Sequence, residues 1–423
     1  MMLDINENAP RDVPTFEQWA QNTAGIQRLA NVEITPNADC RLENPNDYTV
    51  IAQQSIPANQ PIIFVPNNVV WNTDRIKQEE FGNALDPALD FLTKNGVAQT
   101  DVPKFVLLVK LLQETTAGQQ SPYFEWFNSL PRIYYNAASM TPSCIECLPP
   151  LIYRYAREKQ VLLENFSKAL QKVDFLDKSM QSYALGLWAF NVVSTRSFAV
   201  NNDERVRYMA PLADYVNHGT YPNAAFHVDE QGNFLLYAIQ QIEPGTPITV
   251  SYGAPTNPSQ LFAIYGFLDD SSPATFCKIT HIQPNDELRN LGYEDVSRLV
   301  FYKDTGEIAQ EVWDVVLYDV LGKVNKADQQ SFYQAHMEGN ADLKQAMHQH
   351  YFAQTSVELK KHVDGFLNNL QELSKKAEGK NFAEHPRLPL ILHHNAFVAQ
   401  AFLNVKANLD PMVEQAQQQS AMA

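Results

Sequence analysis

Two runs of the sequence carry the side chains best suited to chemistry. The first is Ala210-Pro211-Leu212-Ala213-Asp214-Tyr215-Val216-Asn217-His218. Some thirty residues later come Val250-Ser251-Tyr252-Gly253 and then Asn257-Pro258-Ser259-Gln260-Leu261-Phe262-Ala263-Ile264-Tyr265-Gly266-Phe267. An asparagine amide offers one acceptor and two donors, and a phenol that titrates near ~10 can orient and polarise a reacting group without acting as a strong base. Taken singly, Asn217-His218 reads as a turn or strand-end pair and Tyr252 as a half-buried strand tyrosine. Other groupings say less. Cys144-Ile145-Glu146-Cys147 has metal-ligand spacing, but no second pair or ligand-spaced histidine completes a zinc site, and chance spacing is the simpler reading. His348/His350 and His393-His394 have no carboxylate or cysteine partner in ligand spacing and are expected at the surface or in helix caps. No metal is expected.

The elements that must position these residues alternate in kind. Val32-Glu33-Ile34, Tyr48-Thr49-Val50-Ile51 and Pro61-Ile62-Ile63-Phe64-Val65-Pro66 are β-branched or aromatic runs bounded by turn formers, and they predict strands. Between about 75 and 195 the apolar spacing becomes helical, over Phe105 to Leu112, Leu151 to Leu170 and Tyr183 to Val193. Strand patterns return at 206–210, 224–228, 234–239 and 247–252, separated by Gln231-Gly232-Asn233 and Glu243-Pro244-Gly245. From about 285 the reading is helical to the end, with stripes over 312–321, 357–373 and 390–403. The polar tail after Pro411 is expected to fray. There is no internal repeat, no βαβ alternation and no phosphate loop, and 16 glycines in 423 residues weaken any glycine-loop cofactor fold.

Composition narrows the class. At ~150 residues per domain, 423 residues imply two or three domains. Hydrophobic residues at 45 % exclude a mainly disordered chain. Lys+Arg 32 against Asp+Glu 48 gives a net charge of −16. That balance opposes binding to a nucleic-acid backbone, whereas an acidic cleft attracts a Lys- or Arg-rich peptide. Four cysteines, Cys40, Cys144, Cys147 and Cys277, cannot form a disulfide scaffold in a chain this long. With no apolar run of ~20 residues and no basic leader, neither a membrane span nor a secretory signal is expected. A reducing, cytoplasmic setting follows, with nuclear entry or export by a C-terminal signal left open.

In order and spacing, the two chemical runs resemble the SET domain, in the subfamily typified by the Rubisco large-subunit lysine methyltransferase. That pattern reads P-L-x-D-x-x-N-H, then Y-G, then an S/N-N-x-x-L-x-x-Y-G-F helix. Ala52-Gln53-Gln54-Ser55-Ile56-Pro57-Ala58 is similar to its opening strands. Ser121-Pro122-Tyr123-Phe124-Glu125-Trp126-Phe127-Asn128-Ser129-Leu130-Pro131 is similar to its helical insert, and Arg196-Ser197-Phe198 to its R-x-F element. The resemblance implies an α+β fold: a SET-domain β-sheet body with a helical insert, followed by an all-α C-terminal substrate-binding domain. The expected boundaries are 1–75 and 194–275 for the two parts of the SET domain, 76–193 for the insert and 276–423 for the helical domain. Where the family opens with G-x-G, this chain has Asp47-Tyr48-Thr49.

The resemblance also implies roles. S-adenosyl-L-methionine is the expected cofactor, with Asn217 and the His218 backbone on its adenine, Phe267 stacked on that ring, and Tyr48 alongside. Arg196 can fork onto the donor's carboxylate. Tyr252 is the expected catalytic group, and Phe198 and Tyr208 the expected substrate-binding walls. Asp214 is expected to orient the chain crossing rather than touch substrate. The implied activity is methylation of a lysine amine on a protein substrate, a basic one on charge grounds, by a monomer that binds neither nucleic acid nor membrane. A catalytically silent peptide-binding module and methylation of histidine are the alternatives.

Overall fold

The computed structural model describes residues 3–37, 47–200, 203–254, 256–276, 279 and 281–422. Cys40 and Cys277 lie outside them. The chain divides into two compact units. One comprises Met1–Ser139, Ala156–Tyr252 and Ile264–Gly266; the other comprises Met140–Tyr155, Gly253–Ala263 and Phe267–Ala423. The boundaries expected at 75, 193 and 275 fall inside the helices Thr73–Ile76 and Tyr183–Arg196 and the strand Ala274–Phe276.

The first unit holds strands β1 (Gln27–Arg28), β2 (Val32–Pro36), β3 (Tyr48–Ala52), β4 (Pro61–Val65), β5 (Trp71–Asn72), β6 (Phe198–Val200), β7 (Asp203–Met209), β8 (Asn217–His218), β9 (Ala224–Val228), β10 (Phe234–Ala238) and β11 (Thr249–Val250). They form a sheet of order β1-β4-β10-β9, a sheet of order β5-β7-β6, and the pairs β2-β3 and β8-β11. Side chains alternate across a strand, so Phe234, Leu236 and Ala238 of β10 are buried while Leu235 and Tyr237 are half-exposed. Register follows: Phe234 pairs with Val65 and Leu236 with Ile63, both partners fully buried. The strands expected at 32–34, 48–51, 61–66 and 224–239 therefore stand in place. The strand expected over 247–252 is shorter: Thr249 and Val250 pair with β8, while Pro247 makes an isolated antiparallel bridge to Ile51.

The helical stretch between these strands contains Val102–Ala117 and Tyr183–Arg196. In the first, Phe105 to Leu112 are buried without a break, including Lys110. A helix apolar all round belongs inside a core. The second is capped by Ser182, whose hydroxyl accepts from Leu185 N–H, and it ends on Arg196, where the chain turns extended into β6.

The second unit is built on helices Gln310–Val324, Lys326–Met337, Ala341–His350, Phe352–Lys375 and Leu388–Met422. Its core includes Val312, Val315, Val316, Leu359, Val363, Phe402 and Val405. Two expectations change here. A short antiparallel pair, β12 (Ala274–Phe276) with β13 (Val300–Tyr302), lies within the region read as helical or unassigned. Three residues are too few to show a period. The tail does not fray after Pro411: its helix runs on to Met422, because Leu409, Val413 and Ala416 continue a buried face on the far side of the proline.

The histidine expectations change as well. His348 Nε2 donates to buried Asp314 Oδ1 at 2.7 Å, with Lys344 Nζ 2.6 Å from the same carboxylate. His393 pairs with Asp270 at 3.1 Å. His394 is 1 % exposed, 3.1 Å from Ser259 Oγ, with its ring 5.0 Å from that of Phe262. His348 and His350 both stand in the last turn of helix Ala341–His350, the cap position expected, and His350 is exposed. Neutral burial shifts two histidines far down: desolvation takes His394 to about 3 and His362 to about 4. An unfolded histidine titrates near ~6.5, so the unfolded chain takes up these protons first. Stability is thus intact above that value and drains as pH falls toward 4, by on the order of 2–3 kcal/mol per histidine at pH 4.5. Thermal unfolding between pH 7 and 4.5 is expected to show this slope, and His394→Gln to flatten it; an unchanged slope in that variant refutes the assignment.

No helix among the described residues is long and apolar enough to cross a membrane. Among the same residues no cluster of three or more His, Cys, Asp or Glu groups could hold a metal, and Cys144 and Cys147 are free and buried.

Candidate active site

β8 and β11 run parallel, with Asn217 opposite Thr249 and His218 opposite Val250. Parallel strands need a crossover, and here the β9-β10 hairpin supplies it. Asn223 fastens the crossover: Thr249 N–H donates to its Oδ1 at 2.8 Å, and its Nδ2 donates to Pro247 O at 2.9 Å. Gly219 leaves room for this approach, since a Cβ there lies 2.6 Å from Thr249 Oγ1.

The pairing brings three predicted residues together. Tyr252 N–H donates to His218 Nδ1 at 3.1 Å, which makes that nitrogen an acceptor, and Tyr252 Oη donates to Val216 O at 2.6 Å. Asn217 Nδ2 donates to Tyr48 O at 2.9 Å, bringing in the fourth. Tyr252 also packs against Tyr265, with ring centroids 4.7 Å apart and the planes tilted by 37°. Burial pushes the Tyr252 hydroxyl well above the ordinary phenol value, and the neighbouring Tyr265 phenol adds to the shift. Burial takes Tyr265 itself up to about 12, against the pull of Arg207. Both phenols therefore stay protonated at neutral pH. Gly266 lets Tyr265 reach this place: its φ is +79, and a Cβ there sits 2.5 Å from the Tyr135–Asn136 backbone.

Beneath this group lies an ion pair. Leu212, at φ 71, one of the non-glycine residues in the left-handed region, turns the chain into the short helix Ala213–Tyr215. That turn buries Asp214 completely. Arg196 Nη1 donates to Asp214 O at 2.6 Å and lies 3.5 Å from its Oδ2, which also accepts from Trp126 Nε1 at 3.0 Å. Burial works against the Arg196 charge, and the Asp214 carboxylate overcomes it, so its affinity for the proton rises. Burial raises Asp214 too, with Arg196 and Trp126 pulling it back. Arg196 Nε is buried without a hydrogen-bond partner. Asp214 is thus held inside the first unit by Arg196 and Trp126.

At the Asp47-Tyr48-Thr49 segment, Asp47 Oδ1 accepts from Tyr48 N–H at 3.0 Å and its Oδ2 from Asn37 Nδ2 at 2.9 Å. The segment enters β3 with no positive φ, so the backbone here does not demand glycine. Sequence reasoning did not single out Arg11, whose Cζ lies 4.8 Å from the Tyr48 ring centroid and 5.5 Å from that of Tyr215. An isolated arginine ahead of the first helix carries no spacing signal. Phe198 and Tyr208 pair across β6-β7 and belong to an aromatic cluster, with Phe198 4.6 Å from Phe226 and Tyr208 6.5 Å from Phe234. Phe267 falls in the second unit.

The SET-domain family model matches residues 47–253. Among curated proteins, SET domain-containing protein 4 of Homo sapiens is 23 % identical over 244 residues, 53 % of this chain and 52 % of that protein. Its Mus musculus counterpart is 21 % identical over 242 residues, 53 % of each. The chain spans about half the length of these relatives in the match. Among solved structures, Rubisco LSMT bound to sinefungin and monomethyllysine superposes with a TM-score of 0.67 at 15 % identity, covering 96 % of this chain and 93 % of that one. The same enzyme bound to AdoMet gives 0.66 with the same identity and coverage. At such identity the likeness is one of fold.

Proposed function

From the premise that this chain is a SET-domain protein, its SET domain lying at residues 47–253, we propose that it transfers a methyl group from S-adenosylmethionine to a lysine amine on a protein. The observation that carries this reading is the placement of the protonated Tyr252 hydroxyl on Val216 O, one residue ahead of Asn217-His218. Solved neighbours of the same fold include Rubisco LSMT with AdoMet and the LSMT SET domain with lysine and AdoHcy.

The residues present fit such a donor. Arg196 Nε is a buried N–H without a partner, suited to an anionic ligand end, and Asn217 and His218 present an amide and a backbone edge suited to adenine. When bound, the donor supplies a methyl on a positively charged sulfur. Tyr252 orients the incoming amine rather than deprotonating it, since its hydroxyl stays protonated. Lysine has a reference pKa of ~10.4, so presenting it neutral at pH 7 costs about 4–5 kcal/mol. Desolvation against Phe198 and Tyr208 lowers that cost, and fixed alignment of amine, methyl and sulfur supplies the rest. The ammonium proton leaves to solvent before transfer, and the amine takes the methyl as a methylammonium while the sulfur becomes a neutral thioether. A basic protein suits a partner of net charge −16.

The test is transfer of a tritiated methyl group from the donor to a mixed lysate, followed by amino-acid analysis of the labelled residue. Methyl-lysine is the expected product; label in methyl-histidine overturns the lysine assignment, and no label in the presence of calorimetrically bound donor overturns the activity. Asn217→Ala is expected to weaken donor binding about tenfold, the cost of one well-placed hydrogen bond; unchanged binding heat in that variant removes Asn217 from the donor site.

A further inference from the structure

We propose that Arg132 is a positioning residue for the anion-holding side of the donor site. It caps the carbonyl end of helix Phe124–Ser129, and that helix sets Asp214 and Tyr215, the two residues on which Arg196 rests. This role rests on the methyl-transfer reading for its ligand, while the framework itself stands on contacts within the first unit.

A helix of six residues is not stable alone, and its last four carbonyls lack the usual partners. Here they belong to Trp126, Phe127, Asn128 and Ser129, and both Trp126 and Ser129 are fully buried. Ser129 Oγ donates to Trp126 O at 2.6 Å. Arg132 Nη1 donates to Phe127 O at 3.2 Å and to Leu130 O at 2.7 Å. Its Nη2 donates to Asn128 O at 3.1 Å and to Asn128 Oδ1 at 3.0 Å. Ser129 O is left, and it accepts from Tyr215 Oη at 2.9 Å and from Arg11 Nε at 2.6 Å. Arg132 is 6 % exposed. Its planar fork spans acceptors on both sides of the turn, which an ammonium point charge does not.

Two ties run from this capped end to the site. The first is Tyr215, whose ring lies 5.6 Å from Arg196 Cζ, within cation–π reach. The second is Trp126, whose Nε1 donates to Asp214 Oδ2 at 3.0 Å. Asp214 in turn holds Arg196, with Nη1 2.6 Å from its O and 3.5 Å from its Oδ2. Arg196 is thus located by two residues that answer to one short helix. The adenine side is fastened elsewhere, by Asn217 Nδ2 on Tyr48 O and by Tyr252 N–H on His218 Nδ1. Loosening the helix end therefore disturbs the side that holds an anion and spares the side that holds adenine.

Calorimetry of the full chain with S-adenosylhomocysteine, and with methylthioadenosine, which lacks the amino-acid end, reads the two sides separately. Arg132→Gln is expected to weaken the first ligand about tenfold and to leave the second within about twofold. Equal losses for both, as general loosening produces, or no loss for either, overturn the role. Should that variant not fold, Arg132→Lys keeps the charge without the fork and is expected to lose the first ligand selectively, by about threefold. Binding of both ligands at wild-type strength by the lysine variant overturns the role as well. Heteronuclear NMR of the five tryptophan indoles decides the framework without any ligand. The Trp126 signal, identified by its loss in Trp126→Phe, is expected to shift in either Arg132 variant while that of Trp313, in the second unit, stays. An unmoved Trp126 signal overturns the positioning. If the wild type binds neither nucleoside, the methyl-transfer reading fails, while the indole spectrum still decides whether Arg132 sets Trp126 on Asp214.

Discussion

Tyr252→Phe is expected to slow methyl transfer by about 10²–10³-fold, the range seen when one oriented donor is removed from a buried site. Donor binding is expected to stay within about twofold, because in the proposed reading the hydroxyl serves the amine and not the adenine. The variant deletes a single oxygen. The ring keeps its place against Tyr265, and its N–H keeps His218 Nδ1. What disappears is the Oη that sits 2.6 Å from Val216 O. Val216 O then lacks this buried donor, which costs about 1–3 kcal/mol of stability. Single-turnover transfer and donor calorimetry on the same preparation separate the outcomes. A rate within a few-fold of wild type removes Tyr252 from the chemistry, and a lost binding heat assigns it to the donor instead.

Asp214→Ala is expected to be the most destabilising single change in the first unit. Asp214 is fully buried, and it holds the Arg196 guanidinium and the Trp126 indole N–H. Removing one partner of a buried ion pair leaves the other charge uncompensated and costs about 3–5 kcal/mol. That is a fall in melting temperature on the order of 10 °C for a body of this size. Arg196→Met with Asp214→Ala is expected to recover part of the loss, since no naked charge remains. Thermal melts of the two single variants and the double variant close the cycle. A double variant no more stable than Asp214→Ala means that the aspartate acts through Trp126 and the Leu212 turn rather than through the arginine.

Much of this was legible in the residues. β9 and β10 announce themselves through alternation, since Phe234, Leu236 and Ala238 point one way and the turn at Gly232 joins the strands. Asn217, His218 and Tyr252 were legible because a motif survives in order even when its strands are only two residues long. Other features left no trace. Arg11 meets Tyr48 and Tyr215 through tertiary packing that no spacing encodes. The partner of His348 is Asp314, thirty-four residues earlier, so ligand spacing along one helix could not reveal it. Pro411 argued for an end to its helix, but apolar residues on both sides of it outweigh one lost hydrogen bond. Asp47, standing where the resembled family opens on glycine, accepts from Tyr48 N–H and so holds the start of its own strand, a role that residue type alone does not announce.

The first unit is stitched from three separated stretches, and its last piece, Ile264–Gly266, carries the ring on which Tyr252 rests. A nascent chain leaves the ribosome at ~5–20 residues per second. That unit therefore cannot close until position 266 has emerged, well after its strands are made. Contacts joining such distant positions slow folding. A fragment truncated at Tyr252 holds every residue of the Asn217–His218 edge yet lacks the support for its phenol, so the shortest fragment worth expressing runs through Gly266.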